Sequence, residues 1–566
     1  RYHSAADVRA NLKRVQRDFD SERARTSSRA PGEEELLVPV APAPTSLPSR
    51  PGVSTGSAAP QTSSDAALAI GIVQRHKSGI VVATLAFVVL IAALIGGRAW
   101  LARMTGGPID SVAVLPFVNG SGSPDADYLS DGLTDTITNS LSQIHALRVV
   151  PRTLVMRYKN QTVDPGQAAR ELNVRAIVTG RVVQHGDQVS VQAELTDTVK
   201  VAQLWGEHFD RGVADMMNVQ SDISKAIAEN LRLQLTPDDH KVMVAGTTQN
   251  AEAYQLYLKG KYENAKSNRD GYARATAYYN QAIAKDPGYA MAYSGLANNY
   301  ALQADFFYLP PEVALPKAIE AAKKAIALDD RSAEAHAILG MSILSYEWNW
   351  AESEQEMQRA LALDPNDAIA HEFHGLLLVT LRRFDEAVAE FRQAVALDPL
   401  SPDISATVGF GLIQTHQYDE AATILKKVLE LEPEFVRAHV FLADTYLLSG
   451  RTDMAIAESQ RTIAMGWVGG QTELATSYAV AGRKAEAEAL LKKQGEEAKR
   501  SHAGAFFIAA SFGLLGEKDQ AFQWLNESYK NHEAAMPFLN GYALLDSLRS
   551  DPRFQNLVRR IGIPTQ

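Results

Sequence analysis

The chain has 566 residues and not one cysteine. Disulfides, thiolate zinc sites, iron–sulfur clusters and cysteine nucleophiles are therefore all excluded. Basic residues are also fewer than acidic ones: 56 Lys and Arg stand against 66 Asp and Glu, which gives a net charge of -10 at pH 7. An acidic balance of this kind argues against a general nucleic-acid-binding surface. We therefore expect no nucleic-acid partner.

Catalytic motifs are missing as well. The sequence has no Walker-type phosphate loop, no G-x-G-x-x-G, and none of the kinase motifs V-A-I-K, H-R-D and D-F-G. We assign no catalytic, cofactor-binding or metal-binding residue to this chain. Because the first residue is Arg1 and not Met, we expect the chain to be part of a longer protein.

The first 77 residues divide into two kinds of sequence. Residues 1–25 place apolar side chains at helical spacing between basic ones, which indicates a short amphipathic helix. Residues 26–77 are rich in Pro, Ser and Gly and show no apolar periodicity, which predicts a disordered linker.

A long apolar run follows at 78–97, SGIVVATLAFVVLIAALIGG, with no charge between Lys77 and Arg98. Twenty helical residues span about 30 Å, the thickness of a bilayer core. A buried core helix is the alternative, but the basic flanks favour a single transmembrane helix. The basic residues near the two ends of this run are about equal in number, so they do not predict which end of the helix would face the cytoplasm.

Residues 109–236 predict a small α+β domain. An apolar strand begins at Ser111, and three later strands include a hairpin that turns at His185-Gly186-Asp187. The element order β-α-β-α-β-β-β-α predicts a small sheet covered by helices on one side.

The second half repeats with a fixed period. Asp364-Pro365, Asp398-Pro399 and Glu432-Pro433 each close a helical run and stand 34 residues apart. This period, with two helices per unit, is that of tetratricopeptide (TPR) repeats. We predict about eight repeats over 251–535 and a C-terminal cap at 536–566. Small residues such as Ala387 and Ala394 mark the packing side of second helices.

Three groups of residues are candidates for function. His336, His371 and His439 recur with the repeat, so we predict a packing role and not a metal site. Asp125, Asp127, Asp131 and Asp135 stand before or at the start of a helix, where carboxylates cap free N–H groups and meet the positive end of the dipole; cation binding is the alternative. The first helices of the repeats, at 370–381, 403–414 and 437–448, line the concave groove of a solenoid and are predicted to expose a binding surface for proteins or peptides.

Three resemblances add to this interpretation. The repeats resemble TPR proteins. The segments SVAVLPF (111–117), LSDGLTD (129–135) and LWGEHFDR (204–211) resemble those of TolB-like domains, and RYHSAADVRANLKR (1–14) is similar to the last helix of bacterial serine/threonine kinase domains. The resulting fold class is mainly α: a TPR α-solenoid preceded by a small α+β TolB-like domain, one transmembrane helix and a disordered linker.

The resemblances imply the non-catalytic sensor or scaffold portion of a membrane-spanning bacterial serine/threonine protein kinase. Mg-ATP would then belong to the missing kinase domain, and this chain itself would hold no cofactor. ATP is cytoplasmic, so the linker would lie inside and the TolB-like and TPR parts outside a single-pass inner or plasma membrane. The alternatives are a membrane-anchored TPR assembly protein, or the ectodomain of a cyclase or a winged-helix regulator.

Overall fold

The computed structural model of the chain describes residues 109–122, 126–144, 147–231, 248–306, 308–467, 469–501 and 504–564. The predicted kinase-tail helix at 1–25, the linker at 26–77 and the apolar run at 78–97 lie outside these ranges.

The expectation of a transmembrane helix has to be corrected. Among the described residues, no helix is long and apolar enough to cross a membrane. Even 18-residue helices such as Pro311–Leu328 and Lys484–Ser501 carry several Lys and Glu side chains. The fold class becomes a mainly α solenoid preceded by a small α+β domain, and the single-pass membrane localisation is not retained.

The α+β domain is built on one mixed sheet. Its strands are β1 (Ser111–Val114), β2 (Val118–Asn119), β3 (Arg148–Val149), β4 (Ala176–His185), β5 (Gln188–Asp197) and β6 (Ala202–Gly212). Their order is β3-β1-β4-β5-β6, and β2 also pairs with β4. Strand β1 is parallel to β3 and β4, whereas β4, β5 and β6 are antiparallel. The predicted hairpin turn is confirmed, with Gly186 at a φ of 59° between β4 and β5.

Helices cover both faces of this sheet, where the sequence predicted one covered face. The helices are α1 (Asp127–Ser142), α2 (Arg152–Met156), α3 (Pro165–Leu172) and α4 (Met216–Asn230). Val112 and Val114 of β1 join the core beneath α1 and α4, and Ala113 and Leu115 join a second core beneath α2 and α3. A parallel strand buried on both sides reads as a continuous apolar run, so the run SVAVLPF was already a sign of this arrangement.

Within the described ranges, eight helix pairs form the solenoid. They are α5 (Ala251–Asn264) with α6 (Arg269–Lys285), α7 (Ala290–Asp305) with α8 (Pro311–Leu328), α9 (Ala333–Tyr346) with α10 (Trp350–Leu363), α11 (Ala368–Thr380) with α12 (Phe384–Leu397), α13 (Pro402–Gln414) with α14 (Tyr418–Leu431), α15 (Val436–Leu448) with α16 (Thr452–Ala464), α17 (Gly470–Val480) with α18 (Lys484–Ser501), and α19 (Ala505–Leu514) with α20 (Lys518–Lys530). A last helix, α21 (Pro552–Ile561), follows two 3-10 turns.

The two helices of a pair touch where the first helix has glycine. A methyl group placed on Gly375 would lie 2.5 Å from the ring of Phe391, so only glycine allows this approach. Gly409 meets Leu425 in the same way at 2.7 Å. Ala387 and Ala394 of α12 are fully buried. These small residues therefore set the spacing of the helix pairs.

The α+β domain and the first repeats share one hydrophobic core. Helix α1 approaches α5 so closely that a methyl group on Gly132 would lie 2.8 Å from Leu258. Beside this contact, the Tyr254 hydroxyl donates to Gln220 at 3.3 Å, and the Gln220 amide donates to Ser140 at 3.0 Å. The domain is thus fixed to the solenoid by buried apolar and polar contacts.

Enlarging a packing residue tests the predicted role of the second helices. Because Ala394 is fully buried, Ala394→Leu should lower the free energy of unfolding by about 1–3 kcal/mol through overpacking. Ala389 lies on the exposed side of the same helix, so Ala389→Leu should change stability little. Chemical denaturation of both variants measures the difference, and equal effects would contradict the assignment of the packing face.

Candidate functional site: the concave groove

The first helices of the solenoid are covered, although the sequence predicted that they expose a binding surface. No residue in the segment 370–381 of α11 is exposed, and in 403–414 of α13 the exceptions are Asp403, which is exposed, and the half-buried Phe410. The cover comes from the chain itself. We call residues Met536–Leu548 the plug segment; it consists of two 3-10 turns that follow α20.

Backbone contacts seat the plug segment in the groove. A methyl group on Gly541 would lie 2.4 Å from the Val379 carbonyl oxygen of α11, so the plug backbone rests directly on the first helix. Arg382 donates to the Asn540 carbonyl at 3.1 Å. The Ala543 N–H donates at 2.7 Å to the side-chain oxygen of Gln414. These bonds involve the backbone of the plug, so they do not depend on its side chains.

Aromatic side chains anchor the plug segment on both sides of Gly541. Phe538 and Tyr542 lie against Phe410 of α13, with ring centroids 6.0 and 6.2 Å apart. Tyr542 also packs on Phe506 of α19 at 5.3 Å. Offset and edge-on aromatic pairs at these distances are favourable. The groove therefore contacts the plug segment in two ways: through the plug's backbone and through the aromatic rings of Phe538 and Tyr542.

Two acidic side chains are buried in the first helices α15 and α17. Asp444 of α15 and Glu473 of α17 are each 8% exposed. Burial, and to a lesser extent the charges of Asp444 and Glu473, hold the pKa of Tyr542 above its usual range. Burial raises the pKa of Asp444 to about 7. Burial and the charge of Asp444 also raise the pKa of Glu473. Within the described ranges no Lys, Arg or His forms an ion pair with either residue.

A second carboxylate cluster in the groove does have a cation. Arg437 of α15 forms ion pairs with Asp305 and, at 3.6 Å, with Asp403. The nearby Glu372 is buried, which raises its pKa to about 7 even though Arg437 opposes the shift. One arginine thus compensates acidic side chains from three other first helices.

The three histidines occupy equivalent positions, as their spacing predicts. The ring of His371 bonds Glu390 of its own second helix and, at 3.1 Å, the Pro365 carbonyl. His336 contacts Glu356 and the Asp330 carbonyl, and His439 contacts Glu458 and the Pro433 carbonyl, in the same way. Burial alone would lower the pKa of His371, but the bonds to Glu390 and the Pro365 carbonyl, together with the charges of Glu390 and Asp367, raise it. Each ring ties the two helices of its pair to the preceding loop.

The prediction that the acidic residues near α1 act as helix caps is wrong for the described members. The cap position of α1 is Ala126, without a side-chain hydrogen bond, and Asp125 lies outside the described ranges. Asp127 instead accepts from Asn119 at 2.7 Å. Asp131 and Asp135 are one and two turns inside the helix, too far along to reach its free N–H groups.

Ion pairs account for Asp131 and Asp135. Asp131 pairs with Lys159 at 2.7 Å. Asp135 pairs with Arg152 and lies 3.8 Å from Lys261 of α5. Asp135, Arg152 and Lys261 line a cavity of about 180 Å³ between the α+β domain and the first repeats. Burial lowers the pKa of Lys261 to about 8. The pairs across this cavity help to hold the domain on the solenoid.

The plug segment, Asp444 and Glu473 are not among the functional residues that the sequence predicts. One signal was available for Asp444, because it interrupts the apolar run FLADTYLL in a first helix. No periodicity could show that residues 536–548 return to helices α9 to α13, since that contact joins positions more than 120 residues apart in the chain.

Family models match three parts of the chain. A tetratricopeptide repeat model matches residues 349–402, and another matches 412–464. Residues 109–229 match a model described as HilA/YgeH-like transcriptional regulator, second domain. The predicted TPR repeats are thereby confirmed. The match of the α+β domain differs from its resemblance to TolB-like domains.

One curated relative and several solved structures are similar to parts of the chain. "Putative adenylate cyclase 3" of Rhizobium meliloti (strain 1021) is 32% identical over 187 residues. These residues are 33% of this chain, which spans only 32% of that relative's length. TTC0263, a TPR protein of Thermus thermophilus, is 21% identical and covers 34% of this chain and 99% of its own, with a TM-score of 0.30. The TPR protein YrrB is 21% identical over 33% of this chain and 91% of its own, with a TM-score of 0.24.

The raised pKa of Asp444 predicts a pH-dependent stability. An aspartate in an unfolded chain titrates near pH ~3.9, so the folded state binds this proton more tightly. The contribution of Asp444 to stability is therefore full below about pH 4 and is lost as the pH rises through about 7. The free energy of unfolding should fall between pH 5 and pH 8, and Asp444→Asn should reduce that fall.

Asp453 provides the matched control, because it is exposed in the first turn of α16. Asp453→Asn should keep the pH dependence of the unaltered chain. Chemical denaturation at the two pH values measures all three proteins. An unchanged pH dependence in Asp444→Asn would contradict the burial of an uncompensated carboxylate.

Proposed function

We propose that this chain is a protein-interaction scaffold whose concave groove holds an extended peptide segment of a partner protein. The plug segment carries the proposal, because it shows what the groove accommodates. Its contacts are a backbone carbonyl bonded to Arg382, a backbone N–H bonded to Gln414, and aromatic rings packed on Phe410. A foreign segment with suitable apolar residues can make the same contacts.

The plug segment limits which partners can enter. It is tethered between α20 and α21, so its effective concentration at the groove is high, on the order of millimolar for a short tether. A partner protein must therefore bind the groove more tightly than the tethered plug segment does in order to displace it. This competition excludes weak, nonspecific apolar segments and favours a partner with an additional interaction.

The scaffold belongs, in our proposal, to the non-catalytic part of a larger signalling protein. Residues 1–14 resemble the end of a serine/threonine kinase domain, which supports a kinase as the output. The relative named as an adenylate cyclase supports the alternative, a nucleotide cyclase. Sequencing the coding region upstream of Arg1 separates them: H-R-D and D-F-G motifs support the kinase, and their absence there contradicts it.

Gly541 offers a way to open the groove. Because an added methyl group would clash with the Val379 carbonyl, Gly541→Ala should loosen the plug segment without altering the solenoid core. A labelled peptide with the sequence of residues 536–548, added in trans, should then bind at least tenfold more tightly than it binds the unaltered chain. Fluorescence anisotropy measures both dissociation constants.

Asn540→Ala is the control, since it changes the neighbouring side chain and leaves the backbone carbonyl that Arg382 contacts. This variant should bind the peptide as weakly as the unaltered chain. Circular dichroism shows whether Gly541→Ala keeps its helices. A folded Gly541→Ala chain that binds no peptide would refute peptide binding in the groove.

A further inference from the structure

The cavity between the α+β domain and the first three repeats has the size of a site for a small molecule. Its volume is about 180 Å³. An engineered protein cavity of about 150 Å³ holds one benzene molecule, so this cavity has room for a ligand of slightly larger size. Helices α1 and α2 of the domain and α5, α6, α7 and α9 of the solenoid contribute to its lining.

The walls of this cavity are held in place by contacts of two kinds. The domain and the first repeats share a hydrophobic core. Farther along the solenoid, the Thr153 hydroxyl of α2 donates to Asp398 at the end of α12. A site whose walls are already fixed loses less conformational entropy when a ligand binds.

Two buried tyrosines supply hydroxyl groups that have no partner. Tyr257 is 3% and Tyr279 is 2% exposed, and both line the cavity. Neither hydroxyl forms a hydrogen bond within the described part of the chain. Burial raises the pKa of both phenols, so each hydroxyl keeps the proton that it can donate. Buried polar groups are nearly always hydrogen-bonded, so two unpartnered hydroxyls at one cavity indicate a ligand that accepts from them.

Lys261 and Asn264 of α5 are also unmatched. The Lys261 ammonium lies 3.8 Å from Asp135, a carboxylate already bonded to Arg152, and it makes no closer contact with a hydrogen-bond acceptor among the described residues. Burial lowers the pKa of Lys261 to about 8, so most of these side chains are still charged at pH 7. The buried side-chain oxygen of Asn264 has no donor in the described ranges. The cavity therefore offers a cation and a separate acceptor.

Glu334 of α9 brings a negative charge to the same cavity. Its side chain is exposed, which places it at the open side. One of its oxygens accepts from the Ser294 hydroxyl at 2.9 Å, which is a neutral partner. Its charge opposes the effect of burial on the pKa of Lys261, although the two side chains form no ion pair with each other. The cavity thus separates a cation from an anion.

We infer that this cavity binds a free α-amino acid of about the size of alanine. The ligand carboxylate accepts from the Lys261 ammonium and the two tyrosine hydroxyls, and the ligand ammonium donates to Glu334 and the Asn264 oxygen. A zwitterion matches both charges, whereas a simple carboxylate leaves Glu334 without a cation and a simple amine leaves Lys261 without an anion. Charge-assisted hydrogen bonds of this kind are stronger than neutral ones. The site is separate from the plug segment, so it goes beyond the proposed function and does not depend on it.

Three small molecules of similar size test the inference on the full chain. L-Alanine carries both charges, L-lactate has a hydroxyl in place of the ammonium group, and L-alaninamide lacks the carboxylate. Isothermal titration calorimetry at pH 7 should show one L-alanine bound per chain, at least tenfold more tightly than either analogue. Glu334→Gln should bring the dissociation constants of L-alanine and L-lactate close together. Glu320→Gln is the control on the exposed side of α8 and should leave their ratio unchanged.

The tyrosine hydroxyls are tested by the double variant Tyr257→Phe, Tyr279→Phe, which keeps both rings in the core. Because neither hydroxyl has a partner in the described ranges, the free energy of unfolding should change little, while L-alanine should bind at least tenfold more weakly. Tyr289→Phe is the matched control. Tyr289 is buried with its ring centroid 5.2 Å from that of Tyr257, but it is not part of the cavity lining.

Three results would overturn the inference. If the unaltered chain binds no L-alanine, the cavity is not an amino-acid site. If L-lactate binds as tightly as L-alanine, recognition of the ammonium group by Glu334 is refuted. If the double tyrosine variant keeps the full affinity for L-alanine, the ligand binds elsewhere on the chain.

Discussion

The close contact between a small residue on the first helix of a pair and a bulky side chain on the second is the constraint on which this structure depends. Gly375 on Phe391 and Gly409 on Leu425 fix how near the helices of a pair approach each other. The same spacing between helices recurs in each pair, and it sets the curvature of a solenoid. The curvature in turn brings first helices from distant repeats together, so that Arg437 reaches Asp305 across 132 residues.

The chain itself supplies the segment that lies against the first helices α11 and α13. The contacts of Phe538 and Tyr542 with Phe410 favour the closed state, and the tether to α20 and α21 fixes the position of the plug segment. The α+β domain shares a core with the first repeats, so it keeps a fixed place on the solenoid when the groove changes its occupant.

The repeats could be predicted from sequence because each helix pair depends on residues close together in the chain. The 34-residue period, the glycines and the equivalent histidines all follow from local spacing. The features that failed are long-range or depend on two-sided burial. Val112 and Ala113 face different cores. The run SVAVLPF is typical of a strand buried on both sides, but the element order alone predicts one covered face, so the second was missed. The contact of Ala543 with Gln414 leaves no periodic trace in the sequence.

Hydrogen exchange of the unaltered chain, followed by mass spectrometry, tests most directly whether the groove exchanges its own segment for a peptide supplied in trans. With a saturating amount of an isotope-labelled peptide of residues 536–548, whose mass separates it from the chain's own segment, the amides of residues 536–548 of the chain should exchange faster, because the Ala543 N–H loses its bond to Gln414. Helix α21 should keep its protection. Unchanged protection of residues 536–548 at saturating peptide would contradict the account, since the peptide would then be binding elsewhere.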